Sequence, residues 1–299
     1  MRVLITGATG FIGSNLVKSL SEAGYKVHAL VRVPNDSDKT NYLDEISWHS
    51  LPDQNRQVFL TELVEESKPD VVIHAATKFI SQHSPTDILD IVDSNITFGT
   101  FLLDAMKNSG LPIKFINLNS AWQFFDERHG STRTLYSASK NAFCEIVNYY
   151  LSTSKIMGNN LVLFDTYGIF DKRRKIVDML VESAANDEFL PLSKGNQLIN
   201  LTHISDVCKG VEMLMGSSYW NNETFQLKSP ETISIRSLAS LIEEISGKEI
   251  PAKWGALRDR PFEMLWDWNV APNLPGWSSS VTLRQGLKAK LNELDIQRN

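Results

Sequence analysis

Short apolar segments alternate with amphipathic segments along the first half of the chain. Continuous apolar runs are typical of buried strands, and apolar positions that recur every three to four residues are typical of helices. The predicted strands are Arg2–Thr6, Lys26–Val31, Ser47–His49, Asp70–Ala75, Ile113–Asn119 and Asn160–Asp165. The predicted helices between them are Ile12–Ala23, Leu60–Ser67, Ile88–Ser109 and Tyr136–Ser154. This alternation predicts an α/β protein with a doubly wound parallel sheet.

The pattern becomes less regular after about residue 168. Helical periodicity recurs near Lys172–Asn186, Ser205–Met215 and Ile235–Ser246, between short strands and loops rich in proline and glycine. We therefore predict a first domain over residues 1–168 and a smaller C-terminal α/β domain over residues 169–299, with the chain able to cross back to the first domain. The smaller domain is expected to cover the carboxyl edge of the sheet, where such folds bind ligands.

Composition excludes several classes of protein. The chain has 299 residues and a net charge of −5, so we expect no nucleic-acid partner. Cys144 and Cys208 lie far apart, which excludes a disulfide scaffold, and the six histidines show no paired ligand spacing, so no metal is predicted. No apolar run approaches the roughly 20 residues that cross a bilayer. Because Met1–Thr6 already reads as a strand, we expect no signal peptide, no membrane contact and a cytoplasmic location.

A glycine-rich loop joins the first strand to the first helix at Thr6–Gly13. Gly7 permits a tight turn, Gly10 lets the backbone approach a pyrophosphate, and Gly13 lets the helix pack closely on the strand. The helix N-terminus then faces the phosphates. This context predicts a Rossmann-type dinucleotide site, whose contacts are expected from Gly7, Thr9, Gly10, Phe11, Ile12 and Gly13.

The end of the second strand indicates which dinucleotide is bound. An acidic residue there would hold the ribose hydroxyls of NAD(H), whereas an arginine accommodates the 2′-phosphate of NADP(H). The chain reads Val31-Arg32 at this point, with no carboxylate. We therefore favour NADP(H) over NAD(H), although Arg32 could also be a solvated strand end.

Tyr136 and Lys140 lie four residues apart, on one face of a predicted helix. The ammonium of Lys140 would stabilise the phenolate of Tyr136 and lower its pKa toward neutral pH, and could also hold the nicotinamide ribose. Ser120 ends the preceding strand, and its hydroxyl could hydrogen-bond the same substrate oxygen as Tyr136. These three residues are the predicted catalytic group.

Over nearly its whole length, the chain resembles the extended short-chain dehydrogenase/reductases. The shared motifs are Thr6–Gly13, Val72–Ala76, Asn95 with Gly99-Thr100, Ser120, Tyr136 with Lys140, Phe164–Gly168, His203–Val207 and Arg260–Glu263. The resemblance implies further cofactor contacts from Ser50, Leu51, Ala75, Ala76, Thr77, Asn95, Leu163 and Phe164. The usual Asp-Leu at the adenine position is replaced by Ser50-Leu51.

Within that family, Gly255–Arg260 and the chain length are most similar to nucleotide-sugar 4-keto reductases of the CDP-abequose and CDP-paratose synthase type. The resemblance implies an NADPH-dependent reductase that acts on a nucleotide-activated keto-sugar and forms a homodimer. It implies substrate contacts from Lys78, Ser120, Trp122, Asp165 and Arg260.

Departures from the family pattern reduce the number of reactions that the chain is expected to catalyse. Dehydratases of the family carry Asp-Glu after the serine, whereas this chain has Ala121-Trp122 and so lacks a carboxylate to protonate a leaving hydroxyl. Val162 and Ile199–Leu201 stand where the family usually has arginines, one of which often meets the diphosphate. The basic run Lys172–Lys175 is interpreted as a solvated loop, with phosphate contacts as the alternative. Two other functions remain open: a nucleotide-sugar 4-epimerase with bound NAD, and a non-catalytic dinucleotide sensor.

Overall fold

The computed structural model of the chain describes residues 1–32, 46–125, 132–260 and 263–298. The strands are β1 (Arg2–Thr6), β2 (Lys26–Val31), β3 (Ile46–Ser50), β4 (Val71–His74), β5 (Lys114–Ser120), β6 (Met157–Leu163), β7 (Asp165–Tyr167), β8 (Leu190–Pro191), β9 (Leu198–His203), β10 (Thr224–Leu227), β11 (Thr232–Ser234) and β12 (Ala252–Lys253). The α-helices are α1 (Phe11–Glu22), α2 (Arg56–Ser67), α3 (Ile88–Val92), α4 (Phe98–Ser109), α5 (Leu135–Thr153), α6 (Ile176–Asn186), α7 (Ile204–Gly216), α8 (Ile235–Ser246) and α9 (Leu283–Arg298).

The largest sheet has seven strands in the order β10-β6-β5-β4-β1-β2-β3 within the described residues. β1 pairs in parallel with β2 and β4, β2 with β3, and β4 with β5. The direction of strand addition reverses at β1 and β4, which is the switch point where such sheets bind ligands at their carboxyl edge. The predicted Rossmann-type doubly wound sheet is confirmed.

Both faces of this sheet carry buried apolar side chains, as is typical of parallel sheets. Ile5, Ile73 and Ile116 have no exposed surface, and neither has Leu102 of the covering helix α4. The predicted single helix Ile88–Ser109 is divided: α3 and α4 are joined by a π-helical turn over Asp93–Thr97. The hydrophobic pattern continues across that turn, so it predicted one helix.

The chain forms two compact units. The first unit comprises residues 1–162, 211–226 and 270–274, and the second comprises residues 163–210, 227–269 and 275–299. The chain thus crosses back to the first unit twice. Residues 163–168, which the sequence analysis included in the first domain, belong to the second unit.

The second unit has its own core. β9 pairs in parallel with β7 and antiparallel with β11, and β8 pairs with β12. Leu180, Leu238 and Leu287 have no exposed surface and come from the three helices α6, α8 and α9. α9 was not predicted from the sequence, because charged and polar residues dominate it.

Candidate active site

The glycine-rich loop forms a cradle that only glycines fit. Gly7 has a positive φ of 66°, and a Cβ atom on it would lie 2.7 Å from the backbone of Ala76. A Cβ atom on Gly13 would lie 2.0 Å from the Gly7 carbonyl oxygen. Gly10 is the N-cap of α1 and donates its N–H to that same oxygen at 2.9 Å. A helix N-terminus without a side-chain cap, behind a turn bounded by glycines, fits the pyrophosphate of a dinucleotide.

A buried hydroxyl connects this loop to β4. Thr6 Oγ1 accepts the Ala76 N–H at 3.1 Å and lies 3.0 Å from His74 Nδ1. Burial, assisted by the charge of Lys140, lowers the pKa of His74 to about 3, so the imidazole is neutral. Thr6 Oγ1 and His74 Nδ1 therefore form a hydrogen bond between two neutral groups. These bonds hold Ala75 and Ala76, two predicted cofactor residues, against the glycine-rich loop.

The ends of β2 and β3 bring the predicted adenosine-side residues together. Ser50 is the register partner of Val31, and Leu51 donates its N–H to the Val31 carbonyl at 2.7 Å. Arg32 follows β2 directly and is exposed. Its guanidinium is thus placed where an anionic ligand can reach it.

Asn95 lies in the π-helical turn, a kind of turn that often marks functional sites. Its side chain is buried, and Oδ1 accepts from Thr77 Oγ1 at 3.0 Å and from Lys78 N at 2.7 Å. Its Nδ2 donates to the Lys78 carbonyl at 3.1 Å and to Ser139 Oγ at 2.9 Å. One amide therefore ties the loop after β4 to α5. Lys78 Nζ lies 3.6 Å from Asp90.

α5 carries Tyr136 and Lys140 on a buried face. The helix is capped by Thr134, whose hydroxyl accepts the Ser137 N–H at 3.0 Å. Tyr136 is 6% exposed and Lys140 is 3% exposed. Lys140 Nζ donates to the Leu118 carbonyl at 2.6 Å, and burial lowers its pKa to about 8. No carboxylate among the described residues pairs with this ammonium, so its charge is available to a ligand or to the phenol.

Ser120 ends β5, two residues after the carbonyl that Lys140 binds. Its Oγ accepts the Trp122 N–H at 3.3 Å, and its own N–H donates to Gln123 Oε1 at 2.9 Å. The hydroxyl acts as an acceptor in the first of these bonds, so its proton can be donated to a substrate oxygen. The turn Ala121–Gln123 therefore occupies an acceptor site of the Ser120 hydroxyl and leaves its proton available for donation.

Phe79 connects Tyr136 and Trp122 and was missed by the sequence analysis. Its ring meets Tyr136 edge to face with centroids 4.9 Å apart, and meets Trp122 the same way at 5.5 Å. Phe79 is 47% exposed and Trp122 is 36% exposed. Two exposed aromatic rings beside a buried phenol form an apolar wall next to the predicted proton donor. An aromatic residue directly after the predicted Lys78 was the only available signal.

The remaining predicted residues belong to the second unit. Leu163 and Phe164 are buried, and the Phe164 ring packs on Trp268 with centroids 5.3 Å apart. Asp165 lies 3.7 Å from Lys175. Arg260 is exposed, and Pro261 and Phe262 of the same motif lie outside the described residues.

Ion pairs organise the basic run Lys172–Lys175. Arg173 binds Asp171 at 2.6 Å, and Arg174 binds Glu182 at 3.1 Å. With the Lys175 contact to Asp165, most of the run is neutralised within the second unit. The described residues contain no group of three or more His, Cys, Asp or Glu that could hold a metal ion. They also contain no helix long and apolar enough to span a bilayer.

Comparison with known proteins decides the family. Residues 3–227 match the model of the NAD dependent epimerase/dehydratase family. The chain belongs to this family. A CDP-abequose synthase from Yersinia pseudotuberculosis is 27% identical over 264 residues, which cover 87% of this chain and 89% of that protein.

Solved structures of the same fold are also similar. A UDP-glucose 4-epimerase from Thermotoga maritima, solved with UDP-glucose, has a TM-score of 0.86 at 18% identity and covers 100% of both chains. A UDP-glucuronic acid 4-epimerase from Bacillus cereus, solved with UDP-glucuronic acid and NAD, has a TM-score of 0.85 at 23% identity. It covers 99% of this chain and 100% of its own.

Membership of the NAD dependent epimerase/dehydratase family confirms the resemblance stated from the sequence motifs. It also confirms that the protein is an enzyme, and that its cofactor is a nicotinamide dinucleotide. The preference for NADP(H), the cytoplasmic location and the homodimer stay predictions.

Proposed function

We propose that the protein is an NADPH-dependent reductase of a 4-keto deoxysugar carried on a nucleotide, similar in reaction to CDP-abequose and CDP-paratose synthases. The observation that carries the proposal is the buried pair Tyr136 and Lys140, with Ser120 at the end of the neighbouring strand β5. Ala121-Trp122 follows Ser120 where a dehydratase would need an acid and a base. The family and the similarity to a CDP-abequose synthase support a sugar nucleotide as substrate.

Each of the three side chains has a separate role in carbonyl reduction. The nicotinamide, when bound, supplies a hydride to the carbonyl carbon. Tyr136 donates its phenolic proton to the carbonyl oxygen, and Ser120 donates a hydrogen bond to the same oxygen. Lys140, a buried ammonium with no carboxylate partner among the described residues, stabilises the phenolate that remains and holds the nicotinamide ribose.

Cofactor and substrate contacts follow from the same assignment. Arg32, exposed after β2, binds the 2′-phosphate and selects NADP(H). Substrate contacts from the first unit are assigned to Lys78, Ser120 and Trp122.

A substrate panel tests the proposal. NADPH oxidation is measured with CDP-, dTDP-, GDP- and UDP-linked 4-keto-6-deoxysugars, and with the 3,6-dideoxy forms. We expect oxidation with at least one keto-sugar, and much slower reaction with NADH. Tightly held NAD in the purified protein, together with redox-neutral conversion of a 4-hydroxy sugar nucleotide, would instead identify an epimerase, since the same three residues serve both reactions.

A further inference from the structure

Gln123 is a polar side chain with no exposed surface, next to the proposed catalytic group. Its Oε1 accepts the Ser120 N–H at 2.9 Å, and its Nε2 donates to Asn141 Oδ1 at 2.8 Å. Asn141 Nδ2 in turn donates a longer hydrogen bond to the Gln123 backbone carbonyl at 3.4 Å. Burial of a primary amide is unfavourable unless its groups are paired, and here both ends are paired.

The bonds of Gln123 join two elements that carry proposed catalytic groups. At one end they fix the turn Ala121–Gln123, which sets the direction of the Ser120 hydroxyl. At the other end they reach Asn141, the residue after Lys140 on α5. Together with the bond from Lys140 to the Leu118 carbonyl, this bridge therefore sets the spacing between Ser120 and the face that bears Tyr136 and Lys140.

Other contacts of Gln123 do not replace the bridge. Its Nε2 also lies 3.5 Å from Cys144 Sγ, a weak acceptor. Cys144 in turn contacts the buried amide of Asn119 at 3.2 Å. A substitution that keeps the volume of Gln123 but removes its amide would leave the core filled and the Ser120 N–H unpaired.

We propose that Gln123 and Asn141 are positioning residues that hold the Ser120 hydroxyl at a fixed distance from the Tyr136 phenol. This rests on the proposed function, in which both groups act on one carbonyl oxygen. A displacement of about 1 Å in such an arrangement can lower the rate by up to about 100-fold. The effect falls on kcat, because neither residue is assigned a contact with the cofactor.

Gln123→Met, Asn141→Leu and the double variant test the bridge in the reductase assay. Each single substitution is expected to lower kcat about 10- to 100-fold with KM for NADPH unchanged. The kcat of the double variant is expected to be no lower than that of the more impaired single variant, because both substitutions remove the same bridge. Gln57→Met, at an exposed glutamine of α2 in the same unit, is the matched control and is expected to match the wild type.

Binding of NADPH reports whether each variant is folded. If Gln123→Met does not fold, the half-buried Asn141 supplies the test, since Asn141→Leu removes the same bridge. An unchanged kcat in the folded variants, or losses that multiply in the double variant, would overturn the proposal. Tyr136→Phe is measured alongside. If it keeps full turnover, the proposed function fails, and if only it loses turnover, the positioning role alone fails.

Discussion

Buried lysines occur in both units, but their partners differ. In the first unit, Lys140 donates to the backbone carbonyl of Leu118 at 2.6 Å, and no carboxylate of the described residues pairs with it. In the second unit, Lys290 binds the buried carboxylate of Asp178 at 2.7 Å and the Gly168 carbonyl at 2.9 Å. A buried ammonium without a carboxylate is costly, which is consistent with the functional role proposed for Lys140, whereas the compensated ammonium of Lys290 links α9 to α6.

The polar contacts near Lys140 differ in a similar way from ion pairs found in the second unit. Near Lys140, neutral side chains such as Asn95, Gln123 and Thr6 fix the loops through hydrogen bonds. In the second unit, ion pairs such as Lys228 with Asp267 at 2.7 Å take this role. Neutral partners leave the field of Lys140 available to a phenolate and a cofactor. A carboxylate at the same place would cancel that field.

The largest expected effect separates two buried tyrosines, one in each unit. Tyr136→Phe removes the proposed proton donor and should lower kcat about 10²- to 10⁴-fold with cofactor binding unchanged. Tyr167→Phe is the matched control, because the Tyr167 hydroxyl is buried without a hydrogen-bond partner among the described residues and should contribute nothing to turnover. Steady-state kinetics on both variants, with NADPH titration by fluorescence, give the result. Equal turnover in the two variants would contradict the assignment of Tyr136.

The next effect compares the two lysines by stability. Lys290→Met leaves the carboxylate of Asp178 buried without its cation, and should lower the free energy of unfolding by about 3–5 kcal/mol. Lys140→Met removes an uncompensated charge and should leave stability unchanged or raise it, while turnover is lost. Urea unfolding of both variants is the measurement. An equal decrease in the free energy of unfolding in both variants would contradict the distinction between a functional Lys140 and a structural Lys290.

Cofactor selection gives a smaller effect. Arg32→Ala should weaken NADPH binding about tenfold or more and leave NADH binding nearly unchanged, since only NADPH carries the 2′-phosphate. Arg174→Ala, which removes an exposed arginine of the second unit, is the control and should change neither affinity. The dissociation constants of both cofactors are measured by calorimetry. Equal weakening of NADPH and NADH would show that Arg32 has only a structural role.

The smallest expected effect concerns the aromatic wall formed by Phe79 and Trp122. Trp122→Ala should raise KM for the keto-sugar about two- to tenfold, as expected for loss of one aromatic contact. NADPH affinity and the melting temperature should change little, because the indole is already 36% exposed. Phe189→Ala removes an exposed ring of the second unit and serves as control. A lower melting temperature without a change in KM would instead indicate that Trp122 only packs.

The sequence predicted elements best where local signals agreed. α8 was predicted with its observed bounds, because its apolar periodicity is flanked by the cap Ser234 and by Gly247 in a left-handed conformation. The strand predicted at Asn160–Asp165 divides into β6 and β7 instead. The π-helical turn at Asp93–Thr97 was not predicted, since one extra residue in a turn barely changes the apolar pattern.

The sequence predicts site residues that have motif spacing, but it gives no signal for residues that act through tertiary contacts. The glycine-rich loop, Tyr136 and Lys140 stand at fixed spacings that chemistry requires. Gln123 and Phe79 have no such spacing, and their roles arise only from the partners that the fold supplies. Motif analysis therefore predicts which groups react, whereas the contacts that support them are seen only in the structure.

Transfer of a labelled hydride tests the central claim most directly. The protein is incubated with NADPH that carries deuterium in both C4 positions of the nicotinamide and with the CDP-linked 4-keto deoxysugar, and the product is examined by NMR and mass spectrometry. The account predicts one deuterium at C4 of the sugar for each NADPH oxidised. Recovery of unreacted keto-sugar with no net oxidation of NADPH, for every nucleotide of the substrate panel, would contradict it.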